Sequence, residues 1–141
     1  MDFNLSPEQL ARQAKAHSLG KKLAPDATAD DVIRAAAAAG LIESRPDLLA
    51  TVVAVEALAY ESSAAGVSLA LHAGVTAGLD GNRRFADLDS GEVVGAIALS
   101  SDDVPVEQDG RLSGRAAWVT PLTPLGVAVL GMRSGDGLTA A

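Results

Sequence analysis

The sequence predicts an α+β chain, a bundle of helices followed by a small antiparallel β-sheet or barrel. Helix start and stop signals recur as far as Ser90. From Gly91 the apolar spacing changes from helical to alternating. Asp109-Gly110, set between two short alternating runs, is a two-residue hairpin signal. Helices first and strands afterwards is the order of an α+β chain, not of an alternating α/β one.

A capping box opens the first helix, with Ser6 at the N-cap, Pro7 at the first helical position, Gln9 at the third and Gly20 as the stop. Its inner stripe is expected at Leu10, Ala14 and His17. Thr28 with Asp31 starts the second helix, which runs through Val32, Ile33 and the alanines to Gly40, with Leu41 and Ile42 folding back as its hydrophobic cap. Ser44-Arg45-Pro46-Asp47 reads as the capping box of a third helix reaching Tyr60. That helix is apolar nearly all round, which predicts burial against several neighbours. A fourth, over 63–77, carries Gly66 and Gly74, residues that lower helix propensity yet let another backbone come close. A short helix is expected over 83–88. Strands are then expected over 93–99, 104–108, 111–113, 115–119 and 126–132, with Ser134-Gly135-Asp136-Gly137 turning the chain toward Leu138.

Composition narrows the function. The chain has 141 residues, enough for one domain or a helical segment plus a small sheet. It is 48% hydrophobic but only 3% aromatic, so small side chains fill the interior and the core should be thin. A formal charge of −7 with scattered Lys and Arg argues against nucleic acid. There is no Cys, which removes thiolate metal sites and disulfides and fits a reducing compartment. The acidic start is not a signal peptide, and the least charged stretch, 62–79, is broken by polar residues and glycines, so no membrane span is expected. Cytoplasmic location is the expectation.

Few residues carry chemistry. Trp118 and Thr120 lie two apart at the end of an expected strand and would share a face, where an indole can lie on a flat heterocycle while the hydroxyl bonds its edge. A lone Trp on a strand also fits a core role. Glu56, within an apolar helix, could act as a base, but pairing with an Arg or a helix terminus is the simpler reading. His72 reads as a satisfied structural histidine, since no metal-spaced ligands accompany it. Ser62-Ser63 lacks a nucleophile elbow, and 131–135 is a turn, not a phosphate loop.

Residues 1–9, the apolar third helix ending in Val55-Glu56-Ala57-Leu58-Ala59, then Ser68-Leu69-Ala70-Leu71-His72, Gly91-Glu92-Val93-Val94-Gly95, Ala98-Leu99-Ser100 and 112–120 together resemble the acyl-CoA dehydrogenases, in the same order. The resemblance implies an N-terminal helical domain over 1–90 and a middle β-domain over 91–141, a flavoprotein oxidoreductase that binds FAD, and an acyl-CoA or carrier-bound acyl substrate. It implies that Ile97, Leu99 and Ser100 line the flavin from the first strand. Ser100 stands where the family usually has Thr and keeps the hydroxyl. Trp118, Val119 and Thr120 match the Trp-x-Thr that packs on the isoalloxazine and hydrogen-bonds near its N5.

The departures from the family matter equally. After Ser100 the chain reads Ser101-Asp102-Asp103-Val104-Pro105, so the usual Glu-Pro and Gly-Ser-Asp loop are missing, and two acids would repel an anionic cofactor. The family's C-terminal helical domain, which holds the catalytic Glu, is not encoded, so no catalytic residue is assigned here. The expectation is therefore one subunit of a heteromeric flavoenzyme, completed by a protein that carries the C-terminal half. The alternative is a non-catalytic structural or regulatory subunit that keeps the fold without the chemistry.

Overall fold

The structure, a computed structural model, describes residues 4–43, 47–79, 86–98, 104–116, 119–121, 123, 126–134 and 137–140. Among them the helices come first: α1 (Pro7–Gly20), α2 (Ala29–Ala38), α3 (Leu48–Glu61), α4 (Ser63–Gly78) and α5 (Ala86–Ser90). The strands are β1 (Val94–Ala98), β2 (Val106–Gln108), β3 (Arg111–Ser113), β4 (Gly126–Ser134) and β5 (Gly137–Ala140). The α+β class is the one the sequence predicts.

Local chemistry sets the helix starts. The Ser6 hydroxyl accepts from the Gln9 N–H, and the Ser6 N–H donates to Gln9 Oε1 at 2.9 Å, so two otherwise orphaned donors are satisfied. Thr28 and Asp31 repeat the arrangement at α2. The Thr28 hydroxyl and N–H both donate to Asp31, which holds its carboxyl below the usual carboxylate range. α3 starts three residues later than a box on Ser44 would place it: Asp47 is the cap, and its Oδ1 accepts from the Leu49 N–H at 3.0 Å. Ser44, Arg45 and Pro46 lie outside the described residues.

The inner face of α1 departs from the expected stripe. Leu10 and Ala14 are exposed, and Arg12 and Ala16 are buried instead. Arg12 turns inward because its guanidinium finds two acceptors, the Glu43 carboxylate and the Leu41 carbonyl at 2.7 Å, which tie α1 to the segment after α2. Those bonds offset the cost of taking the charge out of water, a compensation that apolar spacing alone does not reveal.

Ile33, Leu58, Leu69 and Val94 form the centre of the core with a surround of alanines. Burying each of these larger side chains is worth about 1.5–3 kcal/mol, and the alanines add less. α3 packs against α1 and α4, where Gly66 of α4 lies against Ala59 of α3. Its burial is one-sided, however. Leu48, Leu49, Val52 and Tyr60 are exposed, with no described element packed over them.

The sheet is mixed, where the alternating pattern had implied antiparallel strands throughout. β1 pairs parallel with β4, from Val94 opposite Gly126 to Ala98 opposite Leu130. β4 also pairs parallel with β2 and antiparallel with β5, and β2 pairs antiparallel with β3. The Asp109-Gly110 turn is as predicted, with φ of 53° and 72° at its two residues, the left-handed conformation that Gly adopts freely. Hairpin signals report only on sequence neighbours. β1 and β4 are joined by a long excursion that contains the β2–β3 hairpin, long enough for a parallel crossover. The expected strand over 115–119 is absent at the described Arg115, Ala116 and Val119; only Thr120 pairs, through an isolated bridge to Ile97.

Candidate functional site

β1 is held in place by the buried imidazole of His72 on α4. His72 Nδ1 accepts from the Gly95 N–H at 2.9 Å, and the ring's Nε2 lies 3.1 Å from the Leu88 carbonyl. An amide needs an acceptor and a carbonyl needs a donor, so the proton sits on Nε2. Burial pushes the imidazole below its ordinary pKa of 6.5, against the opposing effects of the Leu88 carbonyl and Asp89. His72 is thus a neutral staple joining α4, α5 and β1. Among the described residues no group of three or more His, Cys, Asp or Glu could hold a metal ion.

One residue further along β1 than the buried Ala96, the strand meets the segment that follows the Trp. The Ile97 N–H donates to the Thr120 carbonyl at 3.0 Å, and the Thr120 N–H donates to the Ile97 carbonyl at 3.2 Å. Both backbone groups of Thr120 are therefore engaged. What remains for a ligand is its hydroxyl, on an exposed residue and with no partner among the described residues. The half-buried Ile97 side chain lies over α4: a Cβ built on Gly74 would be 3.6 Å from Ile97 Cδ1. Just beyond in sequence, Thr123 Oγ1 is buried with no hydrogen-bond partner among the described residues. The edge thus sets the Ile97 side chain beside the exposed Thr120, whose hydroxyl has no partner among the described residues, a surface able to take a molecule with both apolar and hydrogen-bonding atoms.

The structure brings Ile97 together with Thr120 and places Val119, half-buried, next to them. Leu99, Ser100 and Trp118 lie outside the described residues. Glu56 is exposed and has no ion-pair partner among the described residues, so the expected pairing with an Arg or a helix terminus is not found. Two contacts went unread in the sequence. His17 Nδ1 lies 3.0 Å from Glu61 Oε1, with Lys21 Nζ at 4.0 Å, which joins the ends of α1 and α3. The Arg12–Glu43 pair borders a groove of about 240 Å³ that also carries Glu8, Lys15 and Asp47. Its charges are mixed, and none of the expected cofactor-wall residues lines it.

The sequence matches no protein-family model and no curated protein. Its fold, by contrast, has clear counterparts among solved structures. Butyryl-CoA dehydrogenase from Megasphaera elsdenii superposes with a TM-score of 0.69 over 99% of this chain and 49% of that one, at 19% identity. The fold is acyl-CoA dehydrogenase-like. A chain from the structure of the electron transferring flavoprotein of Acidaminococcus fermentans, studied for flavin-based electron bifurcation, matches with a TM-score of 0.70, 19% identity, and coverage of 94% of this chain and 45% of that one. This chain spans about half the length of both solved chains. At such identity the likeness concerns architecture, and function has to be argued from the residues. No helix among the described residues is long and apolar enough to cross a membrane.

Proposed function

We propose that this chain is an acyl-CoA dehydrogenase-like subunit contributing part of an FAD and acyl-thioester site to a heteromeric flavoenzyme. The observation that supports it best is the Ile97–Thr120 pairing, which sets the first strand of the sheet beside the Thr of the Trp-x-Thr sequence within a fold shared with butyryl-CoA dehydrogenase. In this reading 1–90 is the helical domain and 91–141 the middle β-domain. Trp118 shields the isoalloxazine face, the Thr120 hydroxyl hydrogen-bonds its edge, and Val119, Ile97, Leu99 and Ser100 complete the wall. FAD, when bound, supplies the electron acceptor for hydrogens removed from the acyl chain. The base that takes the α-proton belongs to a partner. The exposed apolar side of α3 favours such a partner.

The second reading, a non-catalytic subunit, is favoured by Asp102-Asp103, which stand where the family has its phosphate-side loop. Substitution separates the two. In the assembled complex, Trp118→Ala and Thr120→Val are expected to lower flavin content and turnover by about tenfold or more, the scale of one lost aromatic contact or charge-free hydrogen bond of about 1.4 kcal/mol. Size-exclusion elution should not change. Unchanged turnover together with loss of the complex would instead support the structural role.

A further inference from the structure

Among the described residues, α3 and α4, the two most apolar helices, are covered on one side only. α3 buries Ala50, Val53, Ala54, Ala57 and Leu58, and leaves Leu48 77% exposed and Tyr60 83% exposed, with Leu49 and Val52 each half exposed between them. α4 extends this surface. Gly66 lies against Ala59, so the two backbones come close, and Val67, Ala70, Gly74 and Ala77 follow as an exposed stripe of small side chains. Spacings of three and four put them on one helix face. Large side chains on α3 beside small ones on α4 make a ridge and a shallow groove. Two helices each about 20 Å long and about 10 Å apart present several hundred Å², at the upper end of what a monomer leaves open.

Charge decides what covers this face. Residues 48–78 contain no Lys or Arg, and their acids are Glu56 and Glu61. Glu61 is engaged by His17 and Lys21. Glu56 is exposed, one turn from Val52 and one turn from Tyr60, with no ion-pair partner among the described residues. A second copy of this chain carries the same −7 charge, and the cationic side chains nearest the face among the described residues, His17 and Lys21, are engaged by Glu61, so self-association would bury the carboxylate uncompensated. We propose that the α3/α4 face is the docking surface for a helical segment of a different protein, apolar along its length and bearing an Arg or Lys opposite Glu56.

The inference rests on the heteromeric reading above and adds the surface and the chemistry that hold the partner. It also links partner and site. Ile97 Cδ1 sits over Gly74, so a helix lying along the α4 stripe ends beside the Ile97–Thr120 edge and walls it from a second side.

The test uses the full chain in its host cells, with the photo-crosslinker p-benzoylphenylalanine in place of Val67 and, as a control, of the exposed Arg34 on α2. The expected result is a crosslink from the Val67 position to an apolar helical peptide of another protein that contains Arg or Lys. Glu56→Arg should then lower recovery of the purified complex at least tenfold, and changing that partner Arg or Lys to Glu should restore it. Glu56 is exposed, so circular dichroism of the variant is expected to match wild type. A crosslink to this chain itself, no crosslink above the Arg34 control, or a complex indifferent to Glu56→Arg overturns the proposal. The two readings fail separately. A complex held through Glu56 but devoid of flavin removes the flavoenzyme reading alone, whereas a flavin-containing complex insensitive to Glu56→Arg removes the docking surface alone.

Discussion

Replacing His72 with alanine is expected to destabilise the chain by about 3–5 kcal/mol, because it leaves the buried Gly95 N–H and Leu88 carbonyl without partners and opens a cavity. Against a total stability of roughly 5–15 kcal/mol, that loss should lower the melting temperature by on the order of 10–20 °C. His72→Gln, which retains a donor and an acceptor, should recover part of it. The same geometry fixes a pH dependence. Burial holds the folded-state pKa of His72 below its ordinary 6.5, so the unfolded chain binds the proton more readily. The staple's contribution is therefore fully present above pH 6.5 and is lost as pH falls through the depressed folded-state pKa. Protonation puts an N–H on Nδ1 facing the Gly95 N–H. Urea midpoints measured across that range should fall with pH in wild type and fall less in His72→Gln. Equal midpoints for wild type and His72→Ala at neutral pH would show that the staple contributes little.

The second large effect contrasts two glycines of α4. Gly66→Ala gains about 1 kcal/mol of helix propensity but puts a Cβ 2.4 Å from Ala59 Cβ and 2.7 Å from Ala59 Cα. Backbone cannot yield as a flexible side-chain tip can, so α3 and α4 must move apart. Overpacking of this kind costs about 1–3 kcal/mol or more, which outweighs the propensity gain. At Gly74 the same substitution meets Ile97 Cδ1 at 3.6 Å, an ordinary contact, so propensity wins and stability should rise by up to about 1 kcal/mol. Thermal melts of the two variants should therefore shift in opposite directions. A shared sign would mean that the α3–α4 crossing is looser than these distances.

Where the chain's local chemistry is self-contained, the sequence was legible. Ser6 with Gln9, Thr28 with Asp31, and the Asp109-Gly110 turn each involve residues two to four apart, and each forms as read. What escaped depends on distant partners. Arg12 turns inward only because Glu43 and the Leu41 carbonyl, about thirty residues on, are there to receive it. The parallel pairing of β1 with β4 depends on a crossover that no turn signal marks. The lack of metal-spaced ligands marks His72 as structural, but the Gly95 N–H and the Leu88 carbonyl that hold it lie on other elements.

The candidate site was half legible for a similar reason. The resemblance names Ile97 and Thr120, and the structure pairs their backbones. The strand expected over 115–119 does not form at its described residues, so Thr120 is positioned by one bridge instead of a full ladder. That bridge engages the Thr120 N–H, which leaves the hydroxyl as the group able to reach a ligand.

The proposed function is tested most directly by the visible absorption spectrum of this chain purified with the protein that covers α3 and α4. The account predicts flavin absorption bands from the complex, diminished in step with flavin content by Trp118→Ala and Thr120→Val. A stable complex that is colourless, and stays colourless after incubation with FAD, would contradict it.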